Sequence, residues 1–298
     1  MAPIRLPHAF IAGLAAAGLS ALTVTSAAAQ APTTAWDSVG TILQTAPAPT
    51  GGSQRYNFPR RDITLRVRDV TVAPALALGG WLGFAGSPRA AMVMGDLVLL
   101  GDELGPALSE LNAQGIEVSA IHNHIVGDPQ VTYLHVHSSG NAVELARKFD
   151  KVLARTRTPR PVIAAAVAAP VTIDSGLVFR TLGLTGRAQG AVAQMSVVLP
   201  TKPVKMGGMP VLGALAYGTP INVQMIDTGR YVATGDYAVL ESRVQPVIAA
   251  LARNGITATA VHSHLIGESP RVYYIHFWAD GAPAAVLTGL RAALDAGR

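Results

Sequence analysis

The sequence contains no cysteine. Disulfides are therefore excluded, and with them the small cross-linked scaffolds of secreted proteins and every thiolate metal site. Charge is scarce: Asp, Glu, Lys and Arg make up 14% of the residues against 50% hydrophobic, a balance that opposes disorder and favours a packed core. Aromatics are only 5%, and no basic stripe is interleaved with them, so nucleic acid is not an expected partner. The formal charge of +5 is dispersed apart from a modest cluster between Arg147 and Arg160. That cluster reads as a solvated helix face and linker rather than a site for an anionic envelope polymer. G-x-S-x-G, H-E-x-x-H, Walker A and G-x-G-x-x-G are all missing, which removes the common sequence-marked hydrolase and nucleotide-binding folds.

Long apolar runs are also missing beyond the N-terminus. The stretch from Val162 to Val171 is short and contains Pro170, so no transmembrane segment is expected in the mature chain. Residues 1–29 themselves read as a signal peptide. Arg5 gives a positive start, Ala9 to Val24 is apolar and small, and Ala27-Ala28-Ala29 precedes Gln30 as an A-x-A-like cleavage site. The expected location is periplasmic or secreted, soluble after cleavage.

Self-similarity organises the rest. Residues 95–127 align without a gap to 235–267, with 11 of 33 positions identical, among them Gly95/Gly235, Asp96/Asp236, Gly115/Gly255, His122/His262 and His124/His264. One inserted residue then sets Tyr133-Leu134-His135 on Tyr274-Ile275-His276. Two copies are expected, at 35–157 and 172–296, joined by a linker at 158–171. Asp37 and Asp174 read as N-caps of short helices. Ile63 to Val67 alternates as a half-buried strand, and Ala91 to Leu100 forms another. A helix with Pro106 or Pro246 near its first turn ends at Gly115 or Gly255. Ile116 to Ile125 and Val131 to His137 follow as a hairpin, and Asn141 to Leu153 closes the unit as an amphipathic helix. The expected fold class is α+β: two homologous units in tandem, each a mostly antiparallel sheet covered by helices, related by a pseudo-twofold axis.

Of eight histidines, seven lie in these hairpins: His122, His124, His135 and His137 in the first copy, His262, His264 and His276 in the second. Alternation makes His122 and His124 project together from one strand and His135 and His137 together from the next, so that four imidazoles and a phenol cover a single patch. A turn centred at Asp128-Pro129 would set His122 opposite His135 and His124 opposite Tyr133, and the second copy would match with Trp278 in place of His137. A single His-x-His pair suits an ordinary polar strand face. Two pairs on neighbouring strands, repeated in a second copy, point instead to a transition metal. Imidazole suits Zn(II) and Cu(II), zinc being the expected ion and copper the alternative. Read copy by copy, His122→Ala would empty the first site and leave the second loaded, whereas equal loss from both would mean one shared site. Asp128 and Glu268, in equivalent turns, are candidate proton carriers or outer ligands. Asp96 and Asp236 are candidate partners that orient a ligating histidine. Met206 and Met209 read as gap-fillers.

The segments Met94-Gly-Asp-Leu-Val-Leu, Gly115-Ile-Glu-Val-Ser-Ala-Ile-His-Asn-His and Ala260-Val-His-Ser-His-Leu-Ile-Gly-Glu-Ser-Pro-Arg-Val-Tyr-Tyr-Ile-His-Phe-Trp resemble the LppY/LpqO-like family of bacterial exported proteins. The likeness spans nearly all of the mature chain. It implies export and domain identity but no reaction, because the family is a domain of unknown function. Some members are lipoproteins, and this chain lacks the cysteine that lipidation needs. Ser263 stands where the family usually has Asn.

Three functions follow from these readings. The first is an exported protein that binds zinc or copper, in metal handling or in recognition of a small-molecule or envelope ligand. The second is a metal-dependent hydrolase of an envelope or extracellular substrate. The third is a structural or interaction protein whose histidine face holds no metal.

Overall fold

The computed structural model describes residues 34–161 and 171–298. The expected signal peptide and positions 162–170 of the expected linker lie outside the described residues. Among those described, no helix is long and apolar enough to cross a membrane.

The first repeat contains six principal strands, β1 (Ala48–Thr50), β2 (Ser53–Pro59), β3 (Gly79–Ser87), β4 (Ala90–Leu100), β5 (Glu117–His122) and β6 (Val131–Gly140). Its helices are α1 (Ala35–Leu43), α2 (Pro74–Ala77), α3 (Gly101–Gln114) and α4 (Ala142–Leu153). The second repeat runs β7 (Gly186–Gln189), β8 (Val192–Val197), β9 (Thr219–Asp227), β10 (Arg230–Leu240), β11 (Thr257–His262) and β12 (Val272–Gly281), with α5 (Ser175–Leu182), α6 (Gly213–Ala216), α7 (Glu241–Arg253) and α8 (Pro283–Gly297). The sheets share one topology, β1-β2-β3-β4-β6-β5 and β7-β8-β9-β10-β12-β11, and every pairing is antiparallel. The tandem α+β architecture expected from the internal repeat is the one observed.

Local chemistry explains the boundaries, with three differences from the sequence reading. Of the strand expected over Ile63 to Val67, only Arg66–Val67 is strand. Thr34, not Asp37, caps α1; Asp37 sits three residues into the helix and accepts from the Thr34 backbone, completing a capping box. Pro106 and Pro246 are each the sixth residue of their helix, past the first turn. Gly115 adopts φ +65° at the end of α3, the left-handed geometry glycine accepts without strain. Asp174 caps α5 by accepting from Leu177 N–H, and Asn141 caps α4.

Each sheet has a helical face and an inner face. Along β6, Leu134 and Val136 pack with Leu111, Phe149 and Leu153 of the helices. Val131 and Tyr133 alternate to the other side, into a cluster with Leu65, Val72 and Leu76 that also takes in Val232 and Trp278 of the second repeat. The second sheet mirrors this, with Tyr274 and Val272 packing beside Leu215 and Val204 together with Met94 of the first repeat.

The repeats also clasp each other. Gln224, Asn222 and Gln194 side chains of β8 and β9 donate to the backbone carbonyls of Thr71, Leu76 and Ala75, and Ala73 N–H donates to Gln224 Oε1. In return α6 presents Leu215 to Gly83 of β3, where an added Cβ would lie 2.2 Å from the Leu215 side chain. Arg230 of β10 bridges Asp69 of the first repeat and Asp280 of its own.

Candidate metal centre

The inner faces bring six histidines together between the two repeats. The His122 ring centroid lies 4.3 Å from His262, 4.8 Å from His135, 4.8 Å from His276 and 4.9 Å from His264. Across the pseudo-twofold, His124 packs on His276 and His135 packs on His264, each at 3.7 Å. Every such pair joins a loop histidine of one repeat to a strand histidine of the other. Thr259 of β11 donates to the His124 carbonyl at 2.9 Å, which fixes that loop against the second repeat.

Four ring nitrogens converge. His262 Nε2 is 2.9 Å from His264 Nε2 and 3.0 Å from His276 Nε2, and His276 Nε2 is 3.2 Å from His122 Nδ1. A tetrahedral zinc with Zn–N bonds of about 2.0–2.1 Å would hold its nitrogens roughly 3.3 Å apart. The four residues form a donor group able to enclose one cation, and His124, Asp236 and His276 form a second group.

The surroundings disfavour protonation of these rings. Burial, with neighbouring imidazoles adding to it, pushes His135 and His262 down to about 3 and drives His122, His124 and His264 well below their usual range. Those five rings are thereby held toward the neutral form, in which each keeps a lone pair. Several buried atoms, among them His122 Nε2, His135 Nε2 and Asp236 Oδ1, have no hydrogen-bond partner, a costly condition for polar atoms unless something else satisfies them.

The aspartates stand behind the rings. Asp236 is the cross-strand neighbour of His276 and Asp96 that of His135. Asp236 Oδ1 contacts His276 Nδ1 and lies 3.3 Å from His124 Nδ1; Asp96 Oδ1 is 3.8 Å from His135 Nε2. Burial and nearby Asp236 push the Asp96 carboxyl well above the usual range. A cavity of about 20 Å³ beside His135 and His264, lined also by Trp81, Met94 and Leu215, has room for about one water.

Several sequence expectations need correction. The hairpin register is two residues away from the expected one: His122 pairs with Tyr133 and Ala120 with His135, and likewise His262 with Tyr274 and Ala260 with His276. The strands end at His122 and His262, so His124 and His264 sit in the connecting loops. A shift of two preserves the face, so the histidines still meet. The expectation of a separate patch in each copy gives way to one shared cluster, because each copy's inner face is buried against the other. His137 stands apart, its Nδ1 3.3 Å from Glu117, and belongs to neither donor group. Tyr133 and Tyr274 are struts: their hydroxyls donate to the Ala77 and Ala216 carbonyls at the ends of α2 and α6. Asp128 is tied through its backbone to Arg66, and Glu268 accepts from Val272 N–H and Ser263; neither belongs to a donor group. The cross-repeat Thr259 contact had no local sequence signal.

The family model DUF1529, described as "Domain of Unknown Function (DUF1259)", matches residues 37–155 and again 177–296. No curated protein matches the chain. Among solved structures, "Crystal structure of EtuB from Clostridium kluyveri" is 13% identical, covers 85% of this chain and 90% of its own, and superposes with a TM-score of 0.21. "Crystal structure of a trimeric bacterial microcompartment shell protein PduB" is 10% identical over 86% and 91%, with a TM-score of 0.23.

Proposed function

The chain belongs to the family described as Domain of Unknown Function (DUF1259), and from that premise we propose that it is a metal-binding protein whose two repeats together enclose one transition-metal ion. His122, His262, His264 and His276 are its ligands. The observation that carries this reading is the convergence of their four ring nitrogens, three pairs of which stand 2.9–3.2 Å apart while the donor atoms of the group all lie within 4.8 Å of one another. Zinc is the proposed ion and copper the competitor, since an all-imidazole set suits both and zinc favours the tetrahedral arrangement. Ligands from both repeats make the ion a cross-link, a role in metal handling or retention. Four protein donors leave this ion no position for a substrate, which argues against hydrolysis at it. The expected leader at 1–29 and the resemblance to the LppY/LpqO-like proteins support an exported setting.

Elemental analysis of untagged protein tests the proposal. Zinc or copper should be present at one or more ions per chain, and both His122→Ala and His262→Ala should empty the cluster. Fewer than about 0.2 ions per chain, unchanged after incubation with either metal, would rule out a metal centre.

A further inference from the structure

Enclosing one ion uses four of the eight donor side chains gathered between the repeats, and His124, His135, Asp96 and Asp236 remain. Of these, His124 and Asp236 form a compact group with His276, all potential ligand atoms lying within 4.8 Å of one another. His276 is fully buried, and the side chains of Asp236 and His124 are 8% and 12% exposed. Asp236 Oδ1 and His276 Nδ1 touch, yet neither has a hydrogen-bond partner, so their contact does not satisfy them.

Resting on the reading above, we infer that the centre takes a second divalent transition-metal ion, held by His124 Nδ1, Asp236 and His276 Nδ1. The His276 imidazole then bridges the ions, Nε2 toward the four-histidine site and Nδ1 toward the second. As the second ion enters, the bridging ring releases its remaining N–H proton to solvent. The imidazolate and the Asp236 carboxylate together balance that ion's two charges. The pseudo-symmetric trio His264, His135 and Asp96 is differently committed, because His264 Nε2 belongs to the four-histidine group and Asp96 lies 3.8 Å from His135. The centre is therefore asymmetric despite the internal repeat. Three protein donors leave the second ion a position for water or an exchangeable small anion, so reactivity belongs there and retention belongs to the first ion.

Copper(II) is the probe, added in excess to the full untagged chain, with stoichiometry read by native mass spectrometry and spins by electron paramagnetic resonance. The expected result is two coppers per chain with an integrated signal well below the copper content, because an imidazolate bridge couples the spins. Asp236→Asn should bind one copper with its full signal. His124→Ala should do the same, and it serves if the aspartate variant fails to fold. One copper per wild-type chain overturns this inference and leaves the four-histidine site standing. Two coppers, uncoupled and retained by both variants, would place the second ion elsewhere and also overturn it. No bound copper or zinc overturns both readings.

Discussion

His262 occupies the middle of the donor set, its Nε2 within 3.0 Å of both His264 and His276. His262→Ala should therefore remove the ion, whereas His137→Ala should leave the metal content unchanged, since His137 contacts Glu117 instead. Elemental analysis of the two variants separates position in the cluster from mere presence in the hairpin. The sequence shows why both were candidates: alternation fixes the face of a strand residue but not its distance from a partner across the interface. A second residue-scale test concerns Asp69, whose hydrogen bond to Arg230 holds its carboxyl down at about 2. A depressed carboxylate stabilises the fold above its unfolded value of about 3.9, and that contribution is lost as pH falls through about 2. The difference in thermal midpoint between wild type and Asp69→Asn should be constant above about pH 5 and close progressively below pH 4. A gap that widens on acidification contradicts the pairing.

At the scale of elements, the Gly-Asp pairs repeated at 95–96 and 235–236 show what the sequence announced and what it left hidden. Their recurrence in an otherwise diverged repeat was visible. Their purpose was not, because it depends on neighbouring strands: a Cβ at Gly235 would lie 2.0 Å from the Pro220 carbonyl oxygen, so only glycine lets β10 approach β9 while Asp236 turns toward His276. Gly235→Ala should destabilise the second sheet by at least about 1–3 kcal/mol, read as a lowered denaturation midpoint. A neutral result would mean the strands have room to spare. Strands such as β3, Gly79-Gly-Trp-Leu-Gly-Phe-Ala-Gly-Ser, escaped the sequence reading because glycine breaks the alternation that marks a half-buried strand. The hairpin register was missed for a related reason: the segment between His122 and Val131 is a loop pinned by Arg66–Asp128 backbone bonds, not a tight turn. Arg60 is an element-scale lock particular to the first repeat. Fully buried, it donates to Glu103 and Asp62, while Glu103 also accepts from the Leu100 and Arg157 N–H groups. Glu103→Ala should cost about 1–3 kcal/mol by denaturant titration, because it removes one of the two carboxylates on a buried guanidinium and the acceptor of the Leu100 and Arg157 N–H groups. A loss below about 1 kcal/mol would show that Asp62 suffices.

For the whole molecule, the internal repeat was legible and its consequence was not. Sequence comparison reveals two copies. It does not reveal that their inner faces are buried on each other, since that depends on contacts some 140 residues apart, such as His122 with His262 and Asn222 with Leu76. Each repeat alone would leave its three clustered histidines on an open sheet face and the adjoining loop; together the six make an enclosed cluster. An ion shared this way stabilises only the assembled fold, so zinc at about 100 times its dissociation constant should add about 2.7 kcal/mol. That corresponds to a rise in thermal midpoint of roughly 5–10 °C, reversed by a chelator. A midpoint indifferent to both zinc and chelator would mean that the repeats hold together without an ion.

The most direct measurement is anomalous diffraction at the zinc edge from crystals of untagged, zinc-loaded protein. The expected result is a peak about 2.0–2.1 Å from nitrogens of His122, His262, His264 and His276. Peaks bound by the histidines of one repeat alone, or no peak between the sheets, would contradict a centre shared by both halves.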